Sequence, residues 1–193
     1  MNKNIIILDW DDTLFPTTWV NMNKFKLQKN NIDIFKNLDN LLLTLFNNLN
    51  KLGDIIIITN AMIIWINTCL KVLPKTKVVL KKFNIKIKSA REEYRNQTPD
   101  PTQWKIESFK KNINKKYTNI ISVGDSLSEY KALVDLYKKN DKKDKLYKTI
   151  KFINNCRTCN NIIIKDQVDI LNKNIKMIIN KNQNLDLIFR LKN

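Results

Sequence analysis

The stretch IIILDWDDTLFPT (Ile5–Thr17) decides the fold, because a short apolar run leads directly into a cluster of acids. An unbroken apolar run predicts a strand that is covered on both faces, as in a parallel sheet. Packing gains nothing from the carboxylates of Asp9, Asp11 and Asp12 that follow this strand. The stretch therefore predicts either a solvated acidic turn or a site that attracts a cation.

Strand-like and helix-like patterns alternate along the rest of the chain. Further strands are predicted at 55–58 and 120–123, with two weaker ones near 85–88 and 149–152. Helical spacing is found between them at 35–52, 61–72 (before a proline), 102–113, 126–137 and 165–179. This alternation predicts an α/β fold: a doubly wound, Rossmann-like, five-stranded parallel sheet of order 3-2-1-4-5 with helices on both faces. We expect residues 1–193 to form a single domain.

Three of the predicted strands end in a polar side chain. Asp9, Thr59 and Asp125 each stand at the carboxyl end of a buried strand. In open α/β sheets, ligands bind in the crevice outside these ends. A solvated turn explains one such strand but not three, so the pattern favours a common site.

The motifs that contain these residues resemble those of the haloacid dehalogenase-like (HAD-like) superfamily of phosphotransferases. DWDDT is similar to its first motif, Asp-x-Asp-x-Thr after an apolar strand, and IIIITN to its second, a strand ending in Thr or Ser. Trp104-Lys105 is similar to the third, a lone lysine that opens a helix, and ISVGDSLSE to the fourth, Gly-Asp followed by another acid. The motifs occur in family order over residues 5–129.

The resemblance implies an enzyme, a phosphatase that hydrolyses phosphomonoesters through an aspartyl-phosphate intermediate. Asp9 would be the nucleophile, and Asp11 would protonate the leaving oxygen and then activate water. Thr59 and Lys105 would complete the catalytic set and bind the phosphoryl oxygens, together with Asn60.

Magnesium is the expected cofactor, because a carboxylate cluster in a chain without histidine selects a hard ion. By resemblance, Asp9, the backbone carbonyl of Asp11, and Asp125 would hold it. Glu129 stands where the family more often has Asp. Its longer side chain leaves two alternatives open, contact with the ion through water and a solvated position on the helix.

Other residues near the motifs have simpler interpretations. Asp12 is predicted to be a turn residue that bonds to the backbone, and Thr13 to brace the same loop. Trp10 and Phe15 are predicted to pack in the core. Two arginines near the predicted site, Arg91 and Arg95, are candidate contacts for a substrate phosphate.

The spacing of the motifs predicts a protein without a separate cap domain, because helices, a strand and loops fill the gaps where family members insert one. Capless members tend to act on large substrates or in assemblies, so the phosphorylated substrate could be a small molecule or a macromolecule. The segments SAR, P.P..WK...F and GDS also resemble capless members from protists and large DNA viruses.

The formal charge of +17 leaves a nucleic-acid partner open. However, 31 of the 35 basic residues are lysine and only 4 are arginine, a bias that AT-rich codons would also produce. The alternative function is therefore a catalytically weak HAD-fold module that binds nucleic acid or another polyanion through its basic surface. A receiver-like phosphorylation switch is disfavoured, because no suitable Asp ends a strand between residues 54 and 90.

Cysteine usage and hydropathy exclude several other classes. Without histidine, catalysis by Ser-His or Cys-His pairs is excluded, and three cysteines cannot supply a four-ligand zinc site. Cys156 and Cys159 are predicted to be reduced loop thiols, with a redox pair as the alternative. No apolar run approaches the roughly 20 residues that span a bilayer, and the first ten residues turn acidic too early for a secretory signal. We therefore expect a cytoplasmic protein with no membrane partner.

Overall fold

The computed structural model describes residues 3–114, 116–139, 145–153 and 161–190. The strands are β1 (Asn4–Leu8), β2 (Asp54–Thr59), β3 (Lys86–Ser89), β4 (Asn119–Gly124), β5 (Leu146–Ile153) and β6 (Leu185–Arg190). The helices are α1 (Thr17–Met22), α2 (Ile32–Asn50), α3 (Ile63–Cys69), α4 (Pro74–Lys82), α5 (Ala90–Tyr94), α6 (Pro101–Asn112), α7 (Leu127–Lys139) and α8 (Asn161–Asn180). A short 3-10 turn, Lys29–Asn31, precedes α2.

The described strands form one parallel sheet of order β3-β2-β1-β4-β5-β6. The α/β architecture with helices on both faces is as predicted, but the prediction of five strands was wrong. In the register, Leu8 stands beside Ile57 of β2 and Val123 of β4. The residues that follow these positions therefore emerge at the same edge of the sheet.

The missed strand β6 differs in its pattern from the strands that were predicted. Its burial alternates, with Leu185, Leu187 and Phe189 partly buried and the residues between them exposed. It lies at the edge of the sheet, where this kind of alternation is typical of a strand covered on one face. A search for unbroken apolar runs passes over such a strand.

The two faces of β1 contact different helices, because successive side chains of a strand point to opposite faces. Ile6 and Leu8 pack in a core with residues of α2, α3, α4 and α8. Ile5 and Ile7 pack in a second core with residues of α6 and α7. The nucleophile candidate therefore follows a strand that is held from both sides.

Several helix boundaries differ from the prediction. The helix predicted over 61–72 is the shorter α3, and Pro74, the predicted stop, is the first residue of α4. Proline is favourable at this position, where its missing N–H is not needed. The segment predicted as a loop after β3 contains α5, whose Glu92 N–H is capped by the hydroxyl of Ser89.

The structure does not test the predictions about two cysteines and about domain organisation. Cys156 and Cys159 fall outside the described residues, and the single-domain, capless organisation stays a prediction. Across the described ranges, no helix has the length and hydropathy needed to cross a membrane.

Candidate active site

A cleft of about 210 Å³ opens at the carboxyl end of the sheet, beyond β1, β2 and β4. Its lining residues are Asp9, Asp11, Asp12, Asn60, Lys105, Asp125, Ser126 and Glu129. Six of the predicted site residues are thus brought together from loops that follow three strands and from two helices. Their catalytic and binding roles stay predictions.

Lys105 lies at the centre of the buried part of the site. Its Nζ is 2.5 Å from Asp9 Oδ1 and 2.6 Å from Glu129 Oε1, and its side chain is only 1% exposed. Burial alone lowers the pKa of a lysine, but the two carboxylates outweigh this effect and raise the pKa of Lys105 above its usual range. The ammonium is therefore held charged between two acids.

Glu129 is buried (5% exposed), so its interpretation as a solvated helix residue was wrong. Its Oε2 accepts hydrogen bonds from Ser126 Oγ at 2.6 Å and from the Ser126 backbone N–H at 3.1 Å. Gly124 makes room for it, since a Cβ there would lie 2.5 Å from Glu129 Cγ. Burial raises the pKa of Glu129, yet Lys105 and the bonds from Ser126 more than offset this, and the pKa is lowered.

The carboxylates of Asp9, Asp125 and Glu129 form a compact group whose oxygens lie within 4.8 Å of one another. Burial and the neighbouring acids, Glu129 first, raise the pKa of Asp125 to about 7. Burial also raises the pKa of Asp9, against the opposing effect of Lys105. Three carboxylates and one ammonium leave negative charge without a partner. This all-oxygen donor set fits a hard divalent cation.

The carboxylate of Asp11 points elsewhere and does not belong to this group. Its Oδ1 accepts hydrogen bonds from Thr17 Oγ1 at 2.5 Å and from the indole N–H of Trp65 at 3.0 Å. Burial raises the pKa of Asp11, and these two bonds partly oppose the rise. The prediction assigned only the backbone carbonyl of Asp11 to the metal, and this orientation of the side chain is compatible with it.

The loop that follows Asp11 is fixed by polar contacts, one of which reaches Asp125. Asp12 adopts a φ of 52°, a left-handed conformation that Asp tolerates, and its Oδ1 accepts the backbone N–H of Thr18 at 2.9 Å. Thr13 Oγ1 donates to Asp125 Oδ1 at 3.3 Å. These contacts agree with the predicted turn and bracing roles.

Two phosphate-binding candidates at the end of β2 differ in their surroundings. Thr59 is fully buried, does not line the cleft, and its Oγ1 accepts the backbone N–H of Ala61 at 3.0 Å. Asn60 lines the cleft, and its side-chain N–H donates to the carbonyl of Pro101 at 3.2 Å. Its side-chain oxygen is buried and has no partner among the described residues.

Of the remaining predicted residues, the two arginines lie outside the cleft and the two aromatic residues lie in the core. Arg91 and Arg95 are exposed on and beside α5, and neither lines the cleft. Trp10 and Phe15 are fully buried and stack at 6.3 Å between ring centroids, as predicted for core residues.

Sequence reasoning missed four residues that hold the site: Thr17, Trp65, Ser126 and Gln167. Gln167 is fully buried in α8, and its side-chain N–H donates to the carbonyls of Asp12 at 3.0 Å and Thr13 at 3.2 Å. A glutamine on the apolar face of a helix is a readable signal, because a buried amide needs partners. The other three carry no comparable signal in the sequence.

Comparisons with known proteins do not add to this geometry. No family model matches the chain, no curated protein matches its sequence, and no solved structure matches its fold.

Proposed function

We propose that the protein is a HAD-like, Mg²⁺-dependent phosphatase that hydrolyses phosphomonoesters through an aspartyl-phosphate on Asp9. One observation carries the proposal. The buried Lys105 ammonium joins Asp9 to Glu129, beside Asp125, and these residues are up to 120 positions apart in sequence. A buried charged cluster without a function would be costly to maintain.

In the first step, a carboxylate oxygen of Asp9 attacks the phosphorus atom. The bond from phosphorus to the leaving oxygen breaks, and Asp11 transfers its proton to that oxygen. The Lys105 ammonium lies within hydrogen-bonding distance of Asp9 and reduces the repulsion between this carboxylate and an anionic phosphoryl group. Asn60 lines the cleft, and its side chain is the proposed contact for the phosphoryl oxygens, whereas Thr59 is fully buried and does not line the cleft.

In the second step, water attacks the phosphorus of the aspartyl-phosphate. Asp11, now a carboxylate, accepts a proton from this water, and the bond between phosphorus and the Asp9 oxygen breaks to release phosphate. Thr17 and Trp65 hold Asp11 through both steps, because they donate to one of its oxygens and leave the other available.

Asp9, Asp125 and the backbone carbonyl of Asp11 would hold Mg²⁺, with Glu129 as a further neighbour. When bound, the ion supplies positive charge that neutralises the phosphoryl oxygens and the carboxylates. The three-carboxylate group supports this assignment, because burial and then repulsion from neighbouring acids raise the pKa of Asp125.

The test is hydrolysis of p-nitrophenyl phosphate with Mg²⁺ and with EDTA. Asp9→Asn should abolish turnover, whereas Asp166→Asn, an exposed acid on α8, should leave it unchanged. The covalent step is tested by trapping phosphate on the protein and locating it at Asp9 by mass spectrometry. Full activity in Asp9→Asn would contradict the proposal.

The substrate class is tested by a panel of small phosphomonoesters, phosphopeptides and oligonucleotides with 3′- or 5′-phosphates. If only the oligonucleotides are turned over, the substrate class is the phosphorylated end of a nucleic acid. Absence of turnover on the whole panel, with nucleic-acid binding retained in Asp9→Asn, would favour the alternative of a catalytically weak binding module.

A further inference from the structure

A second and larger cavity, of about 610 Å³, lies at the opposite end of the sheet from the cleft. It is formed where β1, β2 and β3 begin, about 13–20 Å from their carboxyl ends at about 3.3 Å per residue. Four lysines line it, Lys3, Lys51, Lys86 and Lys116, and we name it the amino-end groove. Its volume falls in the range typical of ligand sites.

The groove holds more positive than negative charge. Asp54 is its one acidic lining residue, and the ammonium groups of Lys3 and Lys116 both lie 3.7 Å from Asp54 Oδ2. Lys51 and Lys86 make no ion pair with any residue that the structure describes. Four ammonium groups and one carboxylate thus line the groove, and two of the ammonium groups share that carboxylate, which leaves three positive charges in excess.

The shared carboxylate is well fixed. Asp54 accepts a hydrogen bond from the Tyr117 hydroxyl at 2.7 Å, and this bond, with the two lysines, lowers the pKa of Asp54. The proximity of Lys3 lowers the pKa of Lys116, as expected when like charges are close. Asp54 thus holds two lysines together without neutralising both.

A lysine-rich composition alone would spread these residues over the surface. The groove instead collects lysines from four segments that lie 30 or more residues apart, around a concave space. We propose that the amino-end groove binds a ligand that carries several phosphate groups. A nucleoside triphosphate and a short nucleic-acid strand are the two sources of this chemistry. The inference is independent of turnover in the cleft.

The experiment measures binding by fluorescence anisotropy of labelled ATP and of a short labelled oligothymidylate, with inorganic tripolyphosphate as competitor. Lys51→Gln/Lys86→Gln should weaken binding about fivefold, the effect of two exposed charge pairs. For the oligonucleotide, the slope of log K against log salt should fall by about 0.7 for each lysine that contacts a phosphate. Tighter binding of the oligonucleotide than of ATP would identify the strand as the source, and the reverse would identify the nucleotide.

Two further variants make the test specific. Lys26→Gln/Lys36→Gln removes the same charge from exposed lysines outside the groove and should leave affinity unchanged. Asp54→Asn keeps an acceptor for Tyr117 but removes the competing carboxylate, so it should tighten binding. Equal weakening in the two lysine pairs, or weaker binding in Asp54→Asn, would overturn the proposal. Because Asp9→Asn should not affect this binding, its outcome is separable from that of the phosphatase assay.

Discussion

The two ends of the sheet carry an excess of opposite charge. At the carboxyl end, three carboxylates lie close together, and two of them pair with one lysine that is 1% exposed. At the amino end, four lysines and one aspartate line the groove, and the side chain of this aspartate is 50% exposed. The first arrangement is buried and lacks positive charge, and the second is open to solvent and lacks negative charge.

This difference shows that burial decides what a charged cluster can do. In the buried cleft, water screens the acids poorly, so their pKa values shift and the group of acids favours a cation. In the open groove, each lysine is hydrated and contributes little by itself, so only the sum of several contacts gives useful affinity. Substitutions at the two ends should therefore differ in the kind of effect as well as its size.

The largest effect on stability is expected at Lys105. Lys105→Met leaves Asp9 and Glu129 buried without their cation, and we expect a loss of about 3–5 kcal/mol in the free energy of unfolding. Lys110→Met, which removes a partly exposed ion pair with Glu107, should cost about 1 kcal/mol or less. Urea denaturation measures both, and equal losses would show that burial does not separate these ion pairs.

The only two glycines of the chain allow a direct comparison, because they stand at opposite ends of the sheet. A Cβ at Gly124 would lie 2.5 Å from the side chain of Glu129, whereas a Cβ at Gly53 would lie 2.7 Å from the backbone oxygen of Asn4. Each substitution to Ala should cost about 1–3 kcal/mol. Phosphatase activity should be lost only in Gly124→Ala, which displaces Glu129, and a loss in both would contradict the assignment.

The pH dependence of stability in EDTA tests the crowded acids. The pKa of Asp125 is about 7 in the folded protein and 3.8 is its ordinary value. Between these values the folded state retains a proton that the unfolded chain has lost, so stability falls as pH rises through this window. We expect this contribution to be on the order of 4 kcal/mol between pH 4 and pH 8.

The control for this measurement is Asp125→Asn, in which that part of the pH dependence should disappear. Asp166→Asn, on the exposed side of α8, should retain it. Saturating Mg²⁺ should raise the unfolding temperature of the native chain at pH 8 but not that of Asp125→Asn. An unchanged pH profile in Asp125→Asn would show that another group is responsible.

The smallest effect is expected at Trp65. Trp65→Phe removes the hydrogen bond to Asp11 but keeps an aromatic ring against Phe15, so kcat should fall by about fivefold, the effect of one hydrogen bond of about 1 kcal/mol, with little change in KM. Trp19→Phe, in the neighbouring aromatic cluster, should leave kcat unchanged. A rise in KM alone would indicate that Trp65 contacts substrate and does not position Asp11.

The sequence predicted the parts of the cleft that depend on strand ends. Asp9 and Asp125 follow apolar runs, and the parallel register of β1 and β4 then brings them to one edge. Contacts that depend on helix rotation or loop path were not predictable in this way. The turn that brings Glu129 back to Lys105 is an example, because its packing against Gly124 is visible only in three dimensions.

The sequence did not predict the amino-end groove, for a related reason. Its lysines lie in four segments with no common motif, and the total charge does not show where lysines meet. The edge strand β6 was missed because its alternating pattern differs from the unbroken runs of the central strands. Local patterns thus predicted the centre of the sheet better than its periphery.

The bond from Gln167 to the Asp12–Thr13 loop has a consequence for the order of events during translation. The ribosome synthesises the loop early, but the Gln167 amide that donates hydrogen bonds to it is added 155 residues later. At 5–20 residues per second, a ribosome needs about 10–30 s to cover that distance. During this interval the nascent Asp12–Thr13 loop lacks these hydrogen bonds, so we expect the proposed phosphatase activity to appear only after α8 has left the exit tunnel.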